Sequence, residues 1–119
     1  MTSTNLYRTC DLESWTSLPW ANGVQLGELR ALETLEVRTK NSVYEITVTD
    51  PRRGEVLVRG GTFFPVYTRV RLAGASLAGS FLKVFGIYVG FSIEFCAGGE
   101  TIVTTRVKKI DIITPRSLS

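Results

Sequence analysis

The stretch of sequence that decides the fold class is FLKVFGIYVGFSIEF, residues 81–95. In its second half every other side chain is apolar. Side chains of an extended strand point alternately to its two faces, so this period predicts a β-strand with one buried face. We therefore predict one strand through this stretch and an inward-facing core made of Ile87, Val89, Phe91, Ile93, Phe95, Tyr44, Ile46, Val48, Val70, Leu72, Val103 and Val107.

Turn signals divide the rest of the chain into short strands. The sequence DPRRG at 50–54 predicts a turn that joins strands 43–49 and 55–59 as a hairpin, because proline and glycine supply the required backbone angles. Gly98 and Gly99 predict a second hairpin. About seven short strands at this spacing predict an all-β fold, either a small antiparallel β-barrel or a sandwich.

The domain organisation follows from where the strand pattern begins and ends. We expect an N-terminal extension over residues 1–34, a β-barrel-like domain over 35–114 and a C-terminal tail over 115–119. The extension shows no sustained period, which predicts an irregular chain with a short helix where leucines recur every third residue. Trp15 and Trp20 argue against plain disorder and predict that the extension docks on its own domain or on a neighbouring copy.

Charge is distributed unevenly along the 119 residues, which carry a net charge of +3. Residues 1–36 have a net charge of −3, and residues 37–119 have a net charge of +6. This asymmetry permits an anionic partner. It equally permits an acidic N-terminal segment that lies across a basic face of its own domain, and the sequence does not distinguish the two.

Several sequence features bear on the cellular location. The most apolar run, quoted above, is shorter than the roughly 20 residues of a membrane helix and contains Lys83 and Glu94. Residues 1–10 lack the apolar core of a secretory signal. Cys10 and Cys96 lie far apart in sequence and are expected to be free thiols in a reducing compartment. We therefore expect a cytoplasmic protein that does not span a membrane.

The sequence signatures of catalysis are missing. The chain contains no histidine, which excludes Ser-His-Asp and Cys-His systems as well as histidine-ligated zinc. It also contains no glycine-rich loop of the Walker or dinucleotide-binding type. We expect no enzymatic activity, no catalytic residue, no cofactor and no metal ion.

Basic and aromatic residues occupy the outward positions of two predicted strands, Tyr67, Arg69 and Arg71 on one and Arg106 and Lys108 on the other. Such side chains suit single-stranded nucleic acid, because bases stack on aromatic rings and phosphates pair with cations. The alternative is a solvated strand face, since cations also protect sheet edges from aggregation.

Lys83 has two interpretations. Counted back from Phe95 without interruption, it falls on the apolar face, where burial would lower the pKa of its amine. A bulge at Gly86 would instead turn Lys83 outward and turn Leu82 and Val84 inward. The second interpretation is favoured, because a glycine inside a strand often marks a bulge.

Four segments resemble a family of small uncharacterised bacterial proteins: RTKNSVYE at 38–45, RGGTFFP at 59–65, SFLK at 80–83 and GIYVG at 86–90. The resemblance covers about residues 37–109. It implies a bacterial β-rich domain of unknown activity, and it assigns no catalytic or binding residue.

These observations together predict a non-catalytic binding or assembly module of unknown ligand. We expect a protein partner or self-association, for example as a homodimer, in preference to nucleic acid. The alternative function is a small-barrel protein that binds single-stranded nucleic acid. The candidate ligand-binding residues are Tyr67, Arg69, Arg71, Lys83, Arg106 and Lys108.

Overall fold

A computed structural model of the chain describes residues 23–77 and 82–113, and it also places the backbone of two short strands before them. Every pair of strands that the structure describes is antiparallel, which confirms the predicted all-β class. Among the described residues the helical element is one 3₁₀ turn, Leu26–Glu28. The strands are β1 (Asn5–Leu6), β2 (Arg8–Thr9), β3 (Gly23–Gln25), β4 (Thr34–Thr39), β5 (Val43–Asp50), β6 (Glu55–Gly60), β7 (Phe64–Ser76), β8 (Leu82–Val84), β9 (Gly86–Tyr88), β10 (Ser92–Ala97), β11 (Glu100–Val103) and β12 (Val107–Ile113).

The main sheet has the strand order β11-β10-β7-β6-β5-β4-β12, with β8 paired to β7 beside this path. A separate pair is formed by β3 and β9. Since β11 and β12 do not pair with each other, the path through the described strands is open. A closed barrel, one of the two architectures that the sequence predicts, is therefore not found. The amide of Gly90 donates to the Val107 carbonyl (2.8 Å), and the Val107 amide donates to the Phe91 carbonyl (2.9 Å). These two bonds tie the start of β12 to the loop before β10.

Local turn chemistry forms both hairpins that the sequence predicts. The Asp50 carboxylate accepts a hydrogen bond from the Arg52 amide (3.1 Å), and Gly54 has a φ of +73° between β5 and β6. Gly98 and Gly99 have φ values of +58° and +86° between β10 and β11. Positive φ at both central residues is the type I′ geometry, which matches the twist of the flanking strands.

The stretch 81–95 does not form the single strand that its period predicts. It is divided into β8, β9 and β10, with positive φ values of 59° at Phe85 and 92° at Gly90. The Phe85 amide donates to the Ala73 carbonyl (3.0 Å), and the Phe85 carbonyl accepts from the Leu26 amide (2.9 Å). The prediction is wrong because Phe85 bonds to two segments that are distant in sequence, and this interrupts the strand.

The core lies against one face of the main sheet, here called the inner face. Phe95 opposes Ile102 across the second hairpin, so Ile102 packs against the core while Val103 is 51% exposed. The prediction that Val103 faces inward is therefore wrong, and Val89 and Phe91 are only half-buried. The other predicted core residues are buried: Ile87, Ile93, Phe95, Tyr44, Ile46, Val48, Val70, Leu72 and Val107.

The segment before β4 is packed into the same core. Val24 of β3 pairs with Ile87 of β9, and Leu26 in the 3₁₀ turn is fully buried. The short helix that the leucine spacing predicts is not found among the described residues of this segment, where the chain forms β3 and a single 3₁₀ turn. The predicted docking of Trp15 and Trp20 concerns residues outside the described ones and stays a prediction.

Candidate functional site

The candidate functional site is the edge of the main sheet formed by β12. One side of β12 pairs with β4, and no described strand pairs with the other side. On that other side Val107 bonds to Gly90 and Phe91, and residues 108–113 have no backbone partner within the described chain. An unpaired row of N–H and C=O groups is a template for pairing with another strand.

An apolar groove of about 390 Å³ lies beside this edge, between β12 and β3. Two apolar side chains at the C-terminal end of β12 are accessible, since Ile112 is 53% exposed and Ile113 is 39% exposed. Unpaired backbone next to apolar pockets is the arrangement by which sheets accept an extended peptide. The groove is lined by Gly23, Val24, Val89, Lys108, Lys109, Ile110 and Ile112.

The charges on the outer face of β12 are poorly matched to those of β4. Lys109 lies opposite Arg38, and Asp111 lies opposite Glu36. Like charges at directly opposite positions destabilise a sheet. The Lys109 ammonium forms a long, exposed salt bridge with the Asp111 carboxylate of its own strand (Nζ to Oδ2, 3.8 Å). Lys109 and Asp111 therefore lack an opposite charge directly across from them on β4.

Tyr67, Arg69 and Arg71 lie on the exposed outer face of β7, as the alternation predicts. The Tyr67 hydroxyl donates to Glu45 Oε1 (2.7 Å), Arg59 Nη2 donates to the same oxygen (2.5 Å), and the Arg59 guanidinium lies 4.6 Å from the Tyr67 ring centroid. The bond from Tyr67 lowers the pKa of Glu45, and the bond to Glu45 raises the pKa of Tyr67. Tyr67 is thus already held in a cross-strand cluster.

Arg106 and Lys108 line a second cleft, of about 460 Å³, together with Lys40, Ser92 and Thr105. The Lys40 amide donates to the Arg106 carbonyl (3.1 Å), which holds the turn between β4 and β5 against the segment that enters β12. Three cations and two hydroxyls in one cleft can bind an anion. Sequence reasoning missed Lys40, because only this tertiary contact brings its turn to Arg106.

Lys83 lies on the inner side of β8, directly opposite the buried Ala75 of β7. Leu82 and Val84 point the other way and are 43% and 57% exposed. The favoured sequence interpretation, a bulge that turns Lys83 outward, is therefore wrong. The break in the strand falls at Phe85, and the residues before it keep the inward register of Lys83.

The Lys83 ammonium lies over the ring of Tyr88, 5.5 Å from its centroid, as in a cation–π contact. Tyr88 is fully buried, and its ring covers Gly23 and Gly86 so closely that neither could carry a Cβ. Gln25 Nε2 donates to the Tyr88 hydroxyl (2.8 Å), while burial raises the pKa of that hydroxyl. The Tyr88 ring that Lys83 contacts thus packs β3 against β9.

The six predicted ligand-binding residues fall into three separate places. In the sheet β6, β5 and β4 lie between β7 and β12, so Tyr67, Arg69 and Arg71 are apart from Arg106 and Lys108. Sequence reasoning also missed residues 109–112 as a site. Their alternation of charged and apolar side chains is visible, but the sequence does not show that this strand lies at an edge.

Comparisons with known proteins complete the description of the site. Within the described residues, no helix is long and apolar enough to cross a membrane. The same residues contain no group of three Cys, Asp or Glu side chains placed to hold a metal ion. No family model matches the chain, and no curated protein or solved structure matches it either.

Proposed function

We propose that this protein is a non-catalytic assembly module of the cytoplasm that binds an extended strand of another protein chain along β12. The observation that carries the proposal is the one-sided pairing of β12. Residues 109–113 pair with β4 on one side. On the other side their backbone has no partner among the described residues, and an apolar groove lies beside it. An added strand would bond to this backbone, and its alternate side chains would enter the groove.

The composition of β12 supports the proposal that this edge strand pairs with a partner strand. Proteins usually protect exposed edges by keeping them short or by placing charges along them. The opposite edge strand, β11, has only four residues, whereas β12 has seven. The two lysines of β12 lie at one end, and the other end carries Ile110, Ile112 and Ile113 with the single charge of Asp111. Such an edge is typical of a strand that pairs with a partner.

The titratable groups also support binding in preference to catalysis. Catalytic sites combine groups of shifted pKa with a pocket. Glu45 and Tyr67, whose pKa values are shifted, bond to each other on an exposed face, and Tyr88, whose pKa is raised, is buried. None of these three side chains lines the groove beside β12.

We expect a tagged protein to capture a protein partner from its native host in a manner that depends on the edge. Ile112→Lys should abolish capture, because it places a charge in the apolar groove. Leu32→Lys is the matched control, since Leu32 is 69% exposed and lies outside β12. Mass spectrometry of the bound fraction, combined with staining for nucleic acid, reads the result. Capture that survives Ile112→Lys would contradict the proposal.

The second candidate function, binding of single-stranded nucleic acid, is favoured by the basic cleft of Lys40, Arg106 and Lys108. We expect only weak binding of oligonucleotides, because the three cations form a short cluster and the net charge is only +3. Sub-micromolar, salt-sensitive binding that is lost in Lys40→Glu/Arg106→Glu but kept in Arg69→Glu/Arg71→Glu would promote this function over the first. Fluorescence anisotropy across a salt series measures it.

A further inference from the structure

We infer that the strand accepted by β12 is β12 of a second copy, paired antiparallel about a two-fold axis that places Lys109 opposite the partner's Asp111. This inference rests on the proposed function and names its partner. It makes the protein a homodimer in which two main sheets join into one continuous sheet.

The first argument is that β4 does not supply opposite charges across from Lys109 and Asp111. Lys109 faces Arg38 and Asp111 faces Glu36, so β4 supplies a like charge at both positions. Opposite charges in directly opposed positions stabilise antiparallel strands. The two-fold pairing gives each of these charges an opposite one on its unpaired side, and it does so twice, because every contact of a two-fold interface occurs in both directions.

The second argument is that this register is selected from very few. Joining the sheets with both inner faces on the same side requires that inward residues oppose inward residues. Three central registers satisfy this requirement, with Lys109, Ile110 or Asp111 opposite its own copy. The register centred on Lys109 places the two copies of Lys109 opposite each other, and the register centred on Asp111 does the same with the two copies of Asp111. The register centred on Ile110 instead places Lys109 of each chain opposite Asp111 of the other. Only this register relieves the charges.

The third argument is the length of the available edge. Val107 already bonds to Gly90 and Phe91 on the open side, and the register of β12 shifts between Val107 and Lys109. A regular new ladder therefore begins at Lys109. In the register centred on Ile110 this ladder runs from Lys109 to Asp111 in both chains, and Ile112 follows directly after it. The accessible Ile112 side chain is brought into the interface, where its burial adds to the stability of the dimer.

Charge exchange tests this register. We expect the wild-type protein to dimerise as its concentration is raised from low micromolar to near millimolar. Sedimentation velocity measures the fraction of dimer. Lys109→Asp and Asp111→Lys should each weaken dimerisation by about ten-fold or more, because each creates two like-charge pairs across the axis. An equimolar mixture of the two variants should dimerise again, since both cross-axis pairs are then opposite in charge. The double variant Lys109→Asp/Asp111→Lys should dimerise by itself.

Disulfide trapping tests the centre of the axis independently. In a chain with Cys10→Ser and Cys96→Ser, Ile110→Cys should form a covalent dimer on oxidation, because directly opposed Cα atoms lie within disulfide reach. Lys109→Cys should not, since its copy is two residues further along the partner strand. Urea melts of all variants confirm that they are folded.

Each outcome decides the inference. A wild-type protein that stays monomeric at every concentration, or single variants that fail to recover on mixing, would overturn it. If the monomeric protein still captures a different protein and loses it with Ile112→Lys, the self-pairing is wrong while the proposed function stands. If neither dimerisation nor edge-dependent capture is observed, both fail.

Discussion

Phe95→Ala should lower the free energy of unfolding by about 3–5 kcal/mol, the usual cost of removing a buried aromatic ring. Phe95 has no exposed surface and touches two other rings: its centroid lies 5.4 Å from that of Phe64, edge to face, and 6.3 Å from that of Tyr44. Because these neighbours come from β7 and β5, the cavity would open between three strands that cannot easily collapse into it. A urea melt measures the loss.

Two control substitutions show whether the loss of stability depends on the burial of the side chain. Cys96→Ala, at the next position on the opposite face, should cost less than about 1 kcal/mol, because that side chain is only half-buried. Phe91→Ala should cost clearly less than Phe95→Ala, since Phe91 lies in the turn before β10 and is half-buried. If Phe91→Ala and Phe95→Ala lowered the free energy of unfolding equally, the result would favour an uninterrupted strand and would contradict the observed register.

The parts of the fold that were predictable from sequence are those set by local chemistry. The turn at 50–54 and the Gly98-Gly99 turn have backbone requirements that a few neighbouring residues satisfy. The outward direction of Tyr67, Arg69 and Arg71 also follows from alternation within one strand. None of these features depends on which strands become neighbours.

The stretch 81–95 shows why periodicity alone was insufficient. Ile87 of β9 and Ile93 of β10 are both buried, as the alternation predicts. Tyr88 occupies an outward position of the predicted alternation and is nevertheless fully buried, because β9 is covered on both faces. The strand is interrupted at Phe85 and Gly90, which both have a positive φ. A positive φ at a phenylalanine has no sequence signature, because that conformation is held by bonds to residues far away in sequence.

The candidate site could not be predicted for a related reason. Whether a strand is central or at an edge depends on the order of the whole sheet, and β12 pairs with β4, which lies far from it in sequence. The like-charge pairs of Lys109 with Arg38 and of Asp111 with Glu36 exist only in that order. The sequence shows the charges but does not show which residues lie opposite them.

Gly60→Ala is the second substitution for which we expect a large effect, a loss of roughly 2–5 kcal/mol in the free energy of unfolding. Gly60 has a φ of +135°, which side chains rarely adopt. An added Cβ would overlap the Val43 carbonyl oxygen and would lie 2.9 Å from the Tyr44 Cα. Both neighbours are backbone atoms of β5, so the clash can be relieved only by separating β6 from β5. Thermal and urea unfolding measure the loss.

Gly90→Ala separates the two causes of this loss. Gly90 also has a positive φ, +92°, but a Cβ at this position would meet no atom within 4 Å. Its substitution should therefore cost only the backbone strain, about 1–3 kcal/mol. The difference between the two variants reports the close approach of β6 to β5 at the Tyr44–Gly60 pair, which also positions the Tyr44 ring against Phe95. If both variants lose the same stability, β5 and β6 do not approach as closely at Gly60 as described, and the packing of Tyr44 on Phe95 loses its support.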